Sequence, residues 1–192
     1  VIDIFDRIVN TAKGAALGTG TTMDFEMIGG THELLPNDVL QELMHKSLSQ
    51  VGGFDYTTTE NEFAKRIAET LGKPLDMDFV NGVEPYDPNA LPMGSTDVGD
   101  VSFTVPTAGM GAATWVPGTP AHSWQAVATG GTSIGNKGML VAAKTLALTA
   151  FKLLDNPKIM EEAHAEFLEK RGADFKYIPL LGDRSPALDY RN

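Results

Sequence analysis

Apolar side chains recur at Ile2, Phe5, Ile8, Val9, Ala12, Ala15 and Ala16, the i, i+3, i+4 spacing of one helix face, and Gly18 and Gly20 close the run. The period then falls to two. Met23, Phe25 and Met27 alternate with Asp24 and Glu26 across Thr21 to Ile28, which predicts a half-buried strand ended by Gly29-Gly30. A helix, a strand and a glycine pair in that order look like the closing piece of a small α+β unit.

After Pro36 the helical period returns. Asn37 is placed to cap a helix whose buried face is Val39, Leu40, Leu43, Met44 and Leu48, with Gly52-Gly53 as its stop. A second helix is expected from about Glu60 to Leu71, with Thr59 and Glu62 as a capping box and Gly72 and Pro74 as its end. Residues 73–100 are rich in aspartate and proline and show no sustained period, and a loop that long is usually functional or disordered. Val101, Phe103 and Val105 alternate briefly, and Gly109 to Val116 is a further strand candidate. The longest element is a helix over Lys137 to Leu154. Its stripe of Leu140, Val141, Lys144, Leu148 and Phe151 is expected to pack against a sheet. Pro157 opens a last helix that runs to Arg171 before Gly172.

Composition narrows the class. At 192 residues with 42% apolar and 21% charged side chains, the chain can bury a core and is not disordered by composition. Its net charge of -10 argues against nucleic acid as a partner, because phosphate neutralisation needs clustered Lys and Arg. No apolar run approaches the roughly 20 residues of a membrane-spanning helix. Without cysteine there is neither a disulfide nor a thiolate ligand, which fits a cytoplasmic protein. The start at Val1-Ile2-Asp3 reads as the inside of a helix, so a preceding segment is expected.

Chemistry concentrates in the second half. His122, in Thr119-Pro120-Ala121-His122-Ser123-Trp124, follows a predicted strand and is a candidate metal ligand. The blander reading is a partly buried imidazole bonded to backbone. Asp97 and Asp100 lie just upstream, where paired carboxylates can bind a metal, orient a ligating His, or simply cap turns. His32-Glu33 begins like a zinc-protease helix, but Pro36 stands where the second His belongs. His45, His164 and Glu161-Glu162 read as polar helix faces. The run Gly130 to Gly138 resembles a phosphate loop, yet Lys137 is one residue too far from Gly135 and Gly138 replaces the magnesium-binding hydroxyl residue. It still sets backbone N–H groups at a helix start, where Ser133, Gly135 and Lys137 can form the rim of a site.

Three separated motifs then coincide. They are Ser95-Thr96-Asp97-Val98-Gly99-Asp100-Val101-Ser102, Thr119-Pro120-Ala121-His122-Ser123-Trp124-Gln125, and Ser133-Ile134-Gly135-Asn136-Lys137-Gly138-Met139 followed by Ala142-Ala143-Lys144. Together with Gly14 to Asn37 they resemble the aminobenzoyl-glutamate hydrolases of the aminoacylase and carboxypeptidase G group of metallopeptidases. The resemblance implies an α/β fold, namely the C-terminal portion of a zinc-exopeptidase-like catalytic domain with a mixed sheet flanked by helices. Residues 1–30 would end a smaller α+β lid, which in the family also dimerises, and residues 31–192 would belong to the catalytic domain. It implies His122 as a metal ligand, Asp97 and Asp100 near the site, and a divalent metal, zinc or manganese. The general base and the other ligands would lie in a missing N-terminal half, so this chain alone would be inactive. The implied partners are a small-molecule amide substrate, that missing half, and a second copy or a related A-type subunit. A dipeptidase or N-acyl-amino-acid hydrolase of the same group and a noncatalytic ligand- or partner-binding relative are the alternatives.

Overall fold

The structure is a computed structural model that describes residues 1–90, 94, 96–182, 185 and 188. Among the described residues it is helical with no β-strand: α1 Ile2–Thr19, α2 Asp38–Val51, α3 Thr58–Leu71, α4 Asp78–Asn81, α5 Val98–Ser102, α6 Trp124–Gly130, α7 Ser133–Asp155 and α8 Pro157–Arg171. The expected α/β fold, with its mixed sheet and the closing strand of a lid, is therefore corrected to an all-helical one. Period-two alternation is compatible with a strand that has one buried face, but a strand also needs a partner to complete its hydrogen-bond ladder. Thr21 to Ile28 finds none and leaves Phe25 and Ile28 exposed. Val101 and Val105 stand one helical turn apart, and the Val105 N–H donates to the Val101 carbonyl at 2.9 Å. Gly109 to Val116 lies against the core through Val116 without pairing.

The chain divides into two compact units, one of Val1–Thr31 with Ile178–Asn192, the other of His32–Tyr177. In the first, α1 ends at Gly20, whose φ of 67° closes the helix with N–H groups turned back to Ala16 and Leu17. Phe5 meets Phe25 edge-on at 5.9 Å. No residue of α1 is buried.

In the second unit, α7 runs against α2, α6 and α8, and α2 also packs on α8. Asn37 caps α2 as expected: its side-chain oxygen accepts from the Leu40 N–H at 3.0 Å. Its amide nitrogen also donates to the Ala163 carbonyl of α8 at 2.8 Å, so one buried side chain both starts a helix and ties it to another. The Glu166 carboxylate takes the N–H groups of Asp38 and Val39 at 2.7 and 3.0 Å, placing negative charge at the α2 N-terminus. Lys170 sits 2.7 Å from both Asp38 and Glu166. A separate apolar core gathers Tyr56, Ala64, Ile67, Val80, Val116 and Ile134.

Two sequence expectations shift here. The capping box of α3 is Thr57 with Glu60, two residues before the pair read from the sequence. Helix α7 buries Ile134, Gly135, Gly138, Thr145 and Thr149, whereas Leu140 and Phe151 of the expected stripe are 52% and 63% exposed. With no sheet to meet, α7 sets Thr149 against Met44 of α2, Gly135 against Gly130 of α6 and Gly138 against Ala113, while Ile134 joins the Tyr56 core. Gly138 lets the Ala113 carbonyl come so close that a methyl group there would collide with it.

Candidate functional site

Glu60, at the first turn of α3, is buried, and its carboxylate is the centre of a charged knot. Ser133 donates to one oxygen at 2.5 Å, while Lys137 and the Thr57 N–H each donate to the other at 2.6 Å. Lys137 also donates to the Asp55 carbonyl at 2.9 Å. Burial pushes the Glu60 carboxyl up, but the bonds from Lys137, Ser133 and Thr57 outweigh it and bring its pKa to about 2. Beside it, burial first and the Glu60 charge second lift the Tyr56 phenol to about 12. Two of the expected rim residues, Ser133 and Lys137, thus bind the N-terminus of α7 to that of α3, and Gly135 packs on the Gly130 carbonyl. Sequence reasoning does not single out Glu60 itself. A signal exists, since a Glu three residues after a Thr is half of a capping box, but three consecutive threonines hide the register.

A groove of about 690 Å³ opens in the same unit between α2 and the 109–119 segment, with residues 79–87 as its third wall. His45 is half-buried there with its ring 5.5 Å from that of Tyr86, so it is not simply a solvated helix face. Burial first, then Asp38, Glu42 and Glu166, push the Tyr86 phenol up.

Among the described residues, His122 is set apart by its backbone. It occupies an exposed turn before α6 with φ of 58°, and it is the one non-glycine residue with positive φ among the described residues. Ser123 fixes the turn, its hydroxyl donating to the Pro120 carbonyl at 2.7 Å and accepting from the Ala126 N–H at 3.2 Å. The residue therefore precedes a short helix rather than following a strand. Asp97 stands exposed at the start of α5 with no side-chain cap bond. Asp100 accepts from the Tyr177 hydroxyl at 2.9 Å. Around it, Ser102 receives the Leu35 N–H at 2.9 Å, and His32 packs its ring against Phe103 and Tyr177. Ser95 of the first motif lies outside the described residues. No three His, Asp or Glu side chains among the described residues are close enough together to hold a metal ion. The His, Asp and Glu side chains among the described residues do not make a metal site by themselves.

No family model matches the chain, and no solved structure matches it significantly. The chain is 33% identical, over 96% of its length and 44% of the relative's, to the B-type subunit of p-aminobenzoyl-glutamate hydrolase from Escherichia coli (strain K12). It is 32% identical, over 81% of its length and 30% of the relative's, to Xaa-Arg dipeptidase of Mus musculus. The chain spans less than half the length of either relative. The resemblance carried by the three motifs is borne out by these matches. No helix among the described residues is long and apolar enough to cross a membrane.

Proposed function

From its relatedness to a p-aminobenzoyl-glutamate hydrolase along almost its whole length, we propose that the chain is part of a metal-dependent enzyme that hydrolyses the amide bond of an N-acyl amino acid. Aminobenzoyl-glutamate, or a compound of the same build, is the substrate. The name of the second relative, a dipeptidase, supports the same class of bond.

Within this chain the reading rests on the backbone of His122. A non-glycine residue in the left-handed region costs on the order of 1 kcal/mol, and such strain persists where the surroundings impose it. His122 is exposed, so no buried packing repays that cost. What the turn achieves is presentation of an imidazole on the anchored stretch from Pro120 to Ser123. In this reading His122 gives one ligand to a divalent metal, zinc or manganese, and the other ligands and the general base come from outside the described residues. Asp97 is the carboxylate left open for a supporting role, since Asp100 already holds Tyr177. The first relative is named as one subunit of its hydrolase, which supports a partner here too, either a second copy or an A-type chain.

The test is to incubate the full-length gene product with aminobenzoyl-glutamate and a panel of N-acyl amino acids and dipeptides, and to follow release of the free amino acid. Hydrolysis that a chelator abolishes and added zinc or manganese restores is expected. A pure full-length protein that releases no amino acid from any member of the panel, with or without metal, contradicts the proposal.

A further inference from the structure

We infer that the outer side of α7 is an interface within the full-length gene product, covered there by chain that lies outside these 192 residues. This goes beyond the hydrolase reading and uses no feature of its site.

Helix α7 is apolar on both sides. At about 100° per residue, the buried Ile134, Gly138, Thr145 and Thr149 fall on one side. Met139, Leu140, Leu146, Phe151 and Leu154 fall on the other, each between 52% and 77% exposed. Ala143, Ala147 and Ala150 are exposed as well and fill the spaces between them, so the stripe is continuous over about four turns. A helix face turned to water ordinarily carries charged residues of both signs. Between Met139 and Leu154 the charges are Lys144 and Lys152, with no acid. Single exposed apolar residues need no explanation, but a stripe of this length does. A helix that is apolar all round belongs inside a larger body or a membrane, and no helix among the described residues is long and apolar enough to cross one.

Length identifies the cover. The match to the Escherichia coli relative takes in 96% of this chain but 44% of the relative, so more than half of a protein of that build lies outside these residues. A second copy of the chain is the poorer fit. Each copy carries a net charge of -10, and like net charges oppose association. A cover from the same polypeptide stands at high effective concentration and gives up little translational freedom on docking.

The test is made on the full-length gene product. A p-benzoylphenylalanine replaces Phe151, whose ring is already exposed, and after irradiation the cross-linked peptides are identified by mass spectrometry. Cross-links within one polypeptide, to peptides outside the 192 residues, are expected. Thiol labelling of Leu146→Cys and Ala150→Cys reads coverage separately. These 192 residues hold no cysteine of their own, so the labelled peptide is unambiguous. Each thiol is expected to react about tenfold or more slower in the native protein than in urea. Circular dichroism checks folding, and Ala150→Cys adds a single sulfur atom, which keeps the labelling informative should Leu146→Cys disturb the packing. Both readouts are independent of turnover. The proposal is overturned if position 151 cross-links only to peptides inside the 192 residues, gives a dimer-sized product, or gives no cross-link. It is equally overturned if the Ala150→Cys thiol reacts less than about tenfold slower than in urea.

Discussion

Replacing Glu60 by Gln keeps the shape of the side chain and removes its charge, so it isolates what the knot between α3 and α7 contributes. In the folded chain the carboxyl titrates at about 2 against an ordinary value of 4.5. At about 1.36 kcal/mol per pKa unit, that difference sets a ceiling of roughly 3 kcal/mol on the stability tied to ionised Glu60. Two features lower the realised loss. Lys137 keeps 32% of its side chain in solvent and can be rehydrated, and a glutamine oxygen still accepts from Ser133 or Thr57. A destabilisation of about 2 kcal/mol near neutral pH is therefore expected. The pH dependence is specific. Because the folded pKa lies below the unfolded one, the stabilisation is full above about pH 5. It is lost as pH falls from 4.5 through about 2. Urea unfolding followed by circular dichroism, on wild type and Glu60→Gln from about pH 7 to about pH 3, should show the gap between the two proteins narrowing as acid is added. A gap below about 0.5 kcal/mol at neutral pH, or one that does not change with pH, would refute the reasoning.

Asn37→Ala removes a helix cap and leaves the Ala163 carbonyl without its donor. A loss of about 2–3 kcal/mol in the same unfolding assay is expected, and Asn37→Asp, which keeps the cap but not the donor to Ala163, should also lose at least about 1 kcal/mol. Ile134→Ala, at a fully buried site, should cost about 2–5 kcal/mol, whereas Leu140→Ala, at a position 52% exposed, should cost less than about 0.5. A larger loss at Leu140 than at Ile134, measured on the 192-residue chain, would show that α7 faces the other way.

Helices are legible in the sequence wherever a cap and a period agree. The Asn37 cap, the Gly20 and Gly72 stops and Pro157 at the head of α8 all stand where local chemistry puts them. Strands are not, because alternation of apolar and polar letters fixes neither a pairing partner nor, without one, which side chains turn inward: Phe25, Val101 and Val105 are exposed. The face of α7 misleads for a related reason. Leu140 and Phe151 read as the core side because they are among its largest residues, whereas the helix packs through glycine, threonine and Ile134, which allow close approach to its neighbours. Residue type and motif single out His122 as a candidate, yet its backbone conformation is invisible to a pattern of polar and apolar letters. Glu60 escapes because a buried carboxylate reads, in sequence, like any glutamate in a helical first turn. The aromatic groove joins α2 to residues 79–87 and 109–119, segments whose proximity no local period encodes.

The central claim is that His122 serves amide hydrolysis, and one paired measurement on the full-length gene product tests it most directly. Metal content and aminobenzoyl-glutamate turnover are determined for wild type and His122→Ala, with urea unfolding as a control. Because His122 is exposed, stability should stay within about 0.5 kcal/mol. Turnover should fall by at least about 100-fold together with bound metal, as loss of a ligand requires. A variant that keeps its metal and hydrolyses the substrate at the wild-type rate would contradict the account and leave His122 as a turn residue only.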